Sequence, residues 1–324
     1  MKLKHIALLA TLAIANLTGA RAQAADDFPT KPIRVISPHQ AGSTTELFGR
    51  LLVPEMSELL GQSVFIESKA GAAGTIGARE VALSKPDGYT VLINASIQVM
   101  YPGIFKSLPF DPLKDFTPVG VFGFAPMVVV VGAQSKLTSF PNMLDTARAN
   151  PGKLTFASGG LGSLPHLVGE LVNLRSHANI AHVAYNGTGQ ALTDVMGGHV
   201  DILYASVASA VPLIKSGKLR ALAVTSAARI DSLPNVPTIA ESGLADFDVT
   251  SWYAMWAPKG TPTEVVARLN KAMREASGMP AVRERLQVNG VIGSKLSAAE
   301  FARFSAAESV KWLDVMKRAN VQPN

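Results

Sequence analysis

The chain has 324 residues, with 30 Lys and Arg against 24 Asp and Glu and no cysteine. Without cysteine there are no disulfides, no thiolate metal sites, no thiol catalysis and no lipid anchor on an N-terminal cysteine. The formal net charge of +6 falls to +3 once Lys2, Lys4 and Arg21 leave with an N-terminal segment, and no Lys/Arg run remains of the kind that binds nucleic acid.

That segment reads as a signal peptide. Lys2 and Lys4 supply a positive start, Ile6 to Ala15 a short apolar run, and Ala22-Gln23-Ala24 the small-x-small pattern of a cleavage site. The run is shorter than the roughly 20 residues that cross a bilayer. Cleavage near Ala24 leaves 300 residues, residues 1–24 being the signal. A chain of that length suits two domains, and the expected location is the periplasm, with the protein soluble there.

Along the chain, apolar runs alternate with amphipathic stretches, which predicts βαβ units around parallel sheets. Strands are expected at Ile33–Ile36, Val64–Ile66 and Tyr89–Ile93, with a helix carrying Phe48, Leu51, Leu52, Met56 and Leu59 after the first and another from about Ile76 after the second. Lys85-Pro86-Asp87-Gly88 is turn chemistry. Met127–Val131 is wholly apolar, as a strand buried on both faces should be. Leu154–Ala157, Ile180–Val183, Val200–Tyr204 and Leu219–Val224 continue the rhythm. Thr261-Pro262-Thr263-Glu264 and Ser297-Ala298-Ala299-Glu300 both read as capping boxes that open late helices, the last of which presents Phe301, Phe304, Trp312 and Val315. With no repeat and no long linker, the expectation is an α/β protein of two lobes joined by short ordered connections, with a ligand cleft between them.

Three loops share one design, a strand end followed by Gly and small hydroxyl residues and then a helix. They are Ser37-Pro38-His39-Gln40-Ala41-Gly42-Ser43-Thr44-Thr45, Ala70-Gly71-Ala72-Ala73-Gly74-Thr75 and Ser158-Gly159-Gly160-Leu161-Gly162-Ser163. Each is expected to offer backbone N–H groups and the positive end of a helix to an anion. Rival chemistries lack their residues. Gly71, Gly74 and Gly77 have neither the dinucleotide spacing nor a Walker lysine, and there is no GxSxG elbow. His39, His166, His177, His182 and His199 form no metal-binding spacing. His39, in the first loop, is the histidine expected to meet a ligand, and His166 is expected to pack or hydrogen-bond locally. Trp252 and Trp256, flanking Tyr253, are expected to pack in the core or at a hinge.

Several longer stretches are more specific. They include Pro86-Asp87-Gly88-Tyr89-Thr90, Leu108-Pro109-Phe110-Asp111-Pro112 with Lys114-Asp115-Phe116, and Pro151-Gly152-Lys153-Leu154. Ala191-Leu192-Thr193-Asp194, the run Gly217 to Thr225, and Pro237-Thr238-Ile239-Ala240-Glu241-Ser242-Gly243 follow in order. Through these, and from Phe28-Pro29-Thr30-Lys31-Pro32-Ile33 to the last helix, the chain resembles the extracytoplasmic solute receptors of tripartite tricarboxylate transporters, the TctC or Bug family.

The resemblance implies a type II-like periplasmic binding protein fold with two chain crossovers, near Phe122–Pro126 and Phe247–Trp252. Lobe one would comprise residues 25–125 plus 246–324, and lobe two residues 126–245. It implies a monomeric receptor with no catalytic chemistry, cofactor or metal, which captures a small carboxylate (a di- or tricarboxylate or an aromatic acid) for the membrane subunits of a tripartite permease. The alternatives are a sensor that presents the solute to a membrane two-component kinase, and a secreted enzyme on the same scaffold. Family members grip one carboxylate through backbone N–H groups of the first two loops, helped by ordered water, and close the second lobe over the rest. The matching contacts here are His39, Gln40, Gly42, Ser43, Thr44 and Thr45 in the first loop and Ala72, Ala73, Gly74 and Thr75 in the second. Ser96, Ser158, Gly162, Ser163, Asn186, Tyr204 and Ser206 complete the set. The chain departs from relatives at His39-Gln40-Ala41, at Glu46 where they carry Asp, at Ala70 and Ala73 where they carry Pro and Gly, and at Ala205 where an aspartate is common. The loss of that acid favours a plain carboxylate over an amino acid.

Overall fold

The computed structural model describes residues 28–185 and 187–323. The expected signal segment and Asn186 lie outside them. Strand β1 (Ile33–Ser37) leads into helix α1 (Thr44–Leu60). Ser43 starts the helix by accepting from the Glu46 amide, and Gly61 stops it in the left-handed conformation, φ 68°. Phe48, Leu52, Met56 and Leu60 recur every fourth residue and are buried. Each contributes about 2 kcal/mol by leaving water, and together they fix which face of α1 lies on the sheet. Next come β2 (Val64–Ser68), a 3₁₀ turn (Ala72–Gly74), α2 (Thr75–Ala82) and β3 (Thr90–Ala95). A 3₁₀ turn (Ser96–Val99) and the single-turn α3 (Tyr101–Ile104) close this stretch.

Strand β4 (Phe116–Gly132) is 17 residues long and belongs to both halves of the molecule. Its first part, to Pro126, pairs with β9 (Thr250–Pro258). From Met127 onward it pairs with β7 (Ile202–Ser206) on one edge and β8 (Leu219–Val224) on the other. The sequence marked only its apolar second part as a strand. The first part is broken by Pro118, Gly120, Gly123 and Pro126, and the first three of these flank the shifts in register against β9.

The intervening elements are α4 (Phe140–Ala149), β5 (Thr155–Ser158), α5 (Leu164–Ser176), β6 (Ala181–Ala184), α6 (Thr188–Met196) and α7 (Val207–Lys215). After β9 come α8 (Thr263–Gly278), α9 (Pro280–Val288), β10 (Ile292–Gly293) and α10 (Ala298–Arg318). Strand order is β2-β1-β3-β9-β4-β7-β5-β6, with β8 and β10 also on β4.

The sheet is mixed, where parallel sheets were expected. β1 pairs parallel with β2 and β3, and β5 with β6 and β7. β4 and β9 run antiparallel to their neighbours β3, β7 and β8 and to each other. The cause is geometric: a strand that leaves one half toward the cleft must run away from the cleft in the other. Of the two capping boxes, Ser297 and Glu300 form theirs in full. The Thr261 box does not form, because the Thr261 hydroxyl donates to the Pro258 carbonyl at 2.8 Å and the helix begins only at Thr263, with Pro262 as its cap.

One apolar cluster runs through both halves, joining Ile36, Trp252, Trp256, Phe301 and Trp312 to Phe156, Leu167 and Tyr204. Trp252 and Trp256 are core residues, and the Trp252 and Trp312 ring N–H groups share the Glu308 carboxylate at 3.3 and 3.0 Å. A second cluster packs α1 against α8 through Phe48, Val265 and Leu269, and a third fills the other half around Val128, Val195 and Leu203. The chain passes between halves at Pro126–Met127 and at Val249–Thr250, where the Val249 amide still donates to Thr225 of the second half. Two α/β units on one continuous mixed sheet, joined by two crossovers and meeting at a cleft, are the periplasmic binding protein fold.

Candidate ligand-binding cleft

β1 and β2 are parallel neighbours, so the loops leaving their carboxyl ends emerge side by side. That end of an open α/β sheet is where ligands bind. The two loops interlock. A Cβ at Gly74 would lie 2.6 Å from the Tyr101 hydroxyl and 3.2 Å from the His39 ring. One at Gly77 would lie 2.9 Å from the Pro38 Cα and 2.9 Å from the Lys69 carbonyl. Glycine is required at both positions because another piece of the site occupies the side-chain space.

A buried hydrogen-bond chain holds this arrangement. The Asn94 amide donates to Gln98 at 2.9 Å and to the Tyr101 hydroxyl at 3.2 Å. Tyr101 donates onward to the Ala73 carbonyl at 3.1 Å. The Asn94 Oδ1 accepts from its neighbour Ala95 and lies 2.9 Å from His39 Nε2, so His39 donates there and presents Nδ1 as an acceptor. Burial pushes the His39 pKa down, which keeps the ring neutral. The chain thus ties His39 of the first loop to Ala73 and Gly74 of the second. Asn94, Gln98 and Tyr101 escaped the sequence reading. The one signal was Asn94, a polar residue following the apolar run Val91–Ile93 of β3.

The two loops use their donors differently. In the first, the Gly42 amide donates to the Glu46 carboxylate of the same segment, and Arg50 donates to that carboxylate at 2.9 Å. Glu46 is only 1 % exposed in its side chain. Burial pushes its pKa up, but Arg50 and Gly42 outweigh that and hold the carboxyl below its ordinary value. Ser43 is occupied as the helix cap and Thr45 is buried, leaving Gln40 and Thr44 as the open polar positions of this loop.

The second loop strings together left-handed residues, with φ of 140° at Gly71, 43° at Ala72, 51° at Ala73 and 97° at Gly74. An alanine there costs roughly 1–2 kcal/mol. The α2 helix that follows has no side-chain cap at its start, and Thr75 bonds back to the Ala72 carbonyl at 3.0 Å. Ser96 is buried at the start of the turn after β3.

In the second half, the third loop is tied largely to itself. Ser158 and Ser163 both donate to the Gly160 carbonyl, at 3.0 and 2.7 Å, and the Gly162 amide donates to His166 Nδ1 at 3.0 Å. His166 stacks on His182 with ring centroids 3.8 Å apart, and His182 Nε2 lies 2.7 Å from the Ser158 hydroxyl. Burial pushes both histidines down to about 4, helped at His166 by its neighbour His182, so the stacked rings are neutral near pH 7. The local role expected of His166 is seen, but the stacking on His182 had no sequence signal. Tyr204 is wholly enclosed beside Phe156, its hydroxyl without a partner among the described residues. Ala205 lies in the core with Val128, and Ser206 is exposed and caps α7 by accepting from the Ser209 amide.

Thr44 and Ser206 come together across the halves. Both line a cavity of about 370 Å³ whose floor includes Ala125 and Tyr253 on the crossing strands. Gly162 approaches the first half from the other side, with Ile104 3.0 Å from where its Cβ would be.

A cleft walled by both halves, and floored by the strands that join them, defines a solute-binding receptor of the periplasmic type. The family model described as "Tripartite tricarboxylate transporter family receptor" matches residues 48–321, and the chain belongs to this TctC family. It is 35 % identical over 319 residues to Protein BugT of Bordetella pertussis, across 97 % of this chain and 98 % of BugT. Among solved structures it resembles Rpa4515 of R. palustris with adipate, at 32 % identity and TM-score 0.78, over 92 % of this chain and 100 % of that one. It also resembles MatC of Rhodopseudomonas palustris with bound malate, at 31 % identity and TM-score 0.74, over 89 % and 99 % of the two chains. These relatives are solute-binding receptors and not enzymes.

Proposed function

We propose that this receptor captures a small carboxylate in the periplasm and delivers it to the membrane subunits of a tripartite tricarboxylate-type permease. The observation that carries the reading is the interlocked pair of loops after β1 and β2. There a left-handed run at Gly71–Gly74 leads into the uncapped start of α2, with neutral His39 alongside. The first amides of a helix have no intrahelical partner and suit an anion. Relatives of similar fold that hold adipate and malate support the same ligand class.

On this reading the contacts are His39, Gln40, Thr44, Ala72–Thr75 and Ser96 in lobe one, with Ser158, Gly162, Ser163, Asn186 and Ser206 closing from lobe two. The lobes are residues 25–125 plus 246–324 and residues 126–245, and the signal is removed near Ala24. Closure about the two crossovers then encloses the ligand.

A thermal-shift panel tests this on mature protein, unfolded and refolded to remove co-purified ligand. Carboxylates should raise the Tm and neutral sugars should not, since a ligand at 100 times its Kd adds about 2.7 kcal/mol of stability. A panel in which only uncharged compounds raise the Tm would end the reading.

A further inference from the structure

Away from the cleft, α8, α9 and β10 enclose a hollow of about 640 Å³ lined by Lys271, Arg274, Arg283 and Lys295, with Glu275 the one acid in its lining. Four cations against one acid leave an excess of three (4 − 1), half of the +6 that the whole chain carries. Little nearby offsets it. Glu275 pairs with Lys271 at 3.9 Å, and among the described residues no ion pair engages Arg274, Arg283 or Lys295. Glu300 feels Arg274, but its carboxylate is taken up by the Ser297 hydroxyl and amide, at 2.7 and 2.8 Å. Ser294, buried in the lining, accepts from the Leu296 amide at 3.2 Å, which leaves its hydroxyl proton to donate.

A second hollow, of about 430 Å³, lies between α8 and α1 and shares Lys271 and Glu275 with the first. Together they make one trough across α8. Each hollow also offers a large apolar side chain to solvent, Leu59 at 39 % exposure in the second and Ile292 at 52 % in the first. A small inorganic anion would meet the charge but not the apolar ends, and would fill one hollow only. A lipid surface is met by cations and apolar side chains that project together from a helix face, whereas these cations line a recess. An extended protein segment with acidic residues between apolar ones meets both features, the charge steering it and the apolar contacts holding it.

We infer that this trough docks an acidic, partly apolar segment of a partner protein, its carboxylates among Arg274, Arg283 and Lys295 and its apolar side chains against Leu59 and Ile292. Seated there, the segment rests against β10, which pairs with Gly123 and Phe124 of β4 just before the crossover at Pro126–Met127. The site is separate from the cleft and does not depend on which solute the cleft holds.

Fluorescence anisotropy on the mature receptor tests this with a fluorescein-labelled peptide of repeated Glu-Leu-Asp units. The peptide should bind, a Lys-Leu-Lys counterpart should not, and raising the salt from about 0.05 to about 0.5 M should weaken binding about tenfold. The pair Arg274→Glu with Arg283→Glu, both at exposed helix positions, should raise the peptide Kd about tenfold or more with the Tm unchanged. The pair Lys215→Glu with Lys218→Glu, exposed on the second half, makes the same change in net charge and should leave the Kd alone. Failure of the Glu-Leu-Asp peptide to bind, or equal binding by the parent and the Arg274 and Arg283 pair, would overturn the inference. So would equal losses from the two pairs, which would reduce the effect to net charge, or a Glu-Ser-Asp peptide that binds as tightly as the Glu-Leu-Asp one. Inorganic pyrophosphate binding as tightly as the peptide would give the trough to small anions instead. Phosphatidylglycerol vesicles that capture the receptor when the peptide does not would give it to the membrane. All of these outcomes leave carboxylate capture in the cleft untouched, because the thermal-shift panel reads that separately.

Discussion

The loops that open α1 and α2 start from the same plan and end in opposite states. The α1 loop satisfies itself: Ser43 caps the helix, and Glu46 takes up the Gly42 amide and the Arg50 guanidinium. The α2 loop instead holds two alanines in left-handed backbone and leaves its helix start without a side-chain cap. The first is a finished structural joint, and the second stores strain, with its Gly74 and Thr75 amides turned back onto the Gly71 and Ala72 carbonyls. On the proposed reading, an anion meets the α2 start that no side chain caps, so the α1 loop serves chiefly as support and the α2 loop as recognition.

The sharpest way to break this contrast is Gly74→Ala. The new methyl would meet Tyr101 at 2.6 Å in a backbone of φ 97°, so the two loops must separate. We expect a loss of about 3 kcal/mol of stability and a carboxylate Kd raised about tenfold or more, read by urea unfolding and calorimetry. Unchanged binding would show that the interlock does not hold the site.

Next in size is Glu46→Gln, which keeps an acceptor for Gly42 but loses the charge facing Arg50. Because Arg50 is 57 % exposed, the expected cost is only about 1 kcal/mol at pH 7. The folded carboxyl titrates below its ordinary value of 4.5, so its contribution is present above that pH and lost as the pH falls through the folded value. The variant should therefore lose less stability than the parent between neutral pH and pH 3. An identical pH profile would count against the role given to Glu46.

The smallest effect sharpens the contrast. Ala73→Gly should relieve the left-handed strain at φ 51° and gain up to about 1 kcal/mol, with ligand affinity retained. A loss of stability would mean that the loop is not strained.

Much of this molecule was readable from residue order. Strands such as Leu219–Val224 stand where their apolar runs lie, and the Ser297–Glu300 cap forms as its spacing predicts. Glycines and small hydroxyls marked all three loops. What escaped was whatever depends on distant partners. The first part of β4 breaks strand patterning with two prolines and two glycines, yet it pairs because β9 arrives to pair with it. The Asn94–Tyr101–His39 chain joins three segments, and the stacked His166 and His182 come from a helix and a strand. Thr261 carried a cap signal that a nearby carbonyl intercepted. Period and spacing report local preference, and they cannot see competition from residues far along the chain.

The place of β9 between β3 and β4 carries a consequence for the order of assembly. The second half is one uninterrupted stretch of chain between Met127 and Val249, and its strands find partners within that stretch. The first half needs β9, made only after the whole second half, to close the gap between strands made before it. During synthesis the early strands therefore wait with unpaired edges while the later half can already form. Such long-range closure is slow, so the receptor's folding time is set by the return of its chain to where it began.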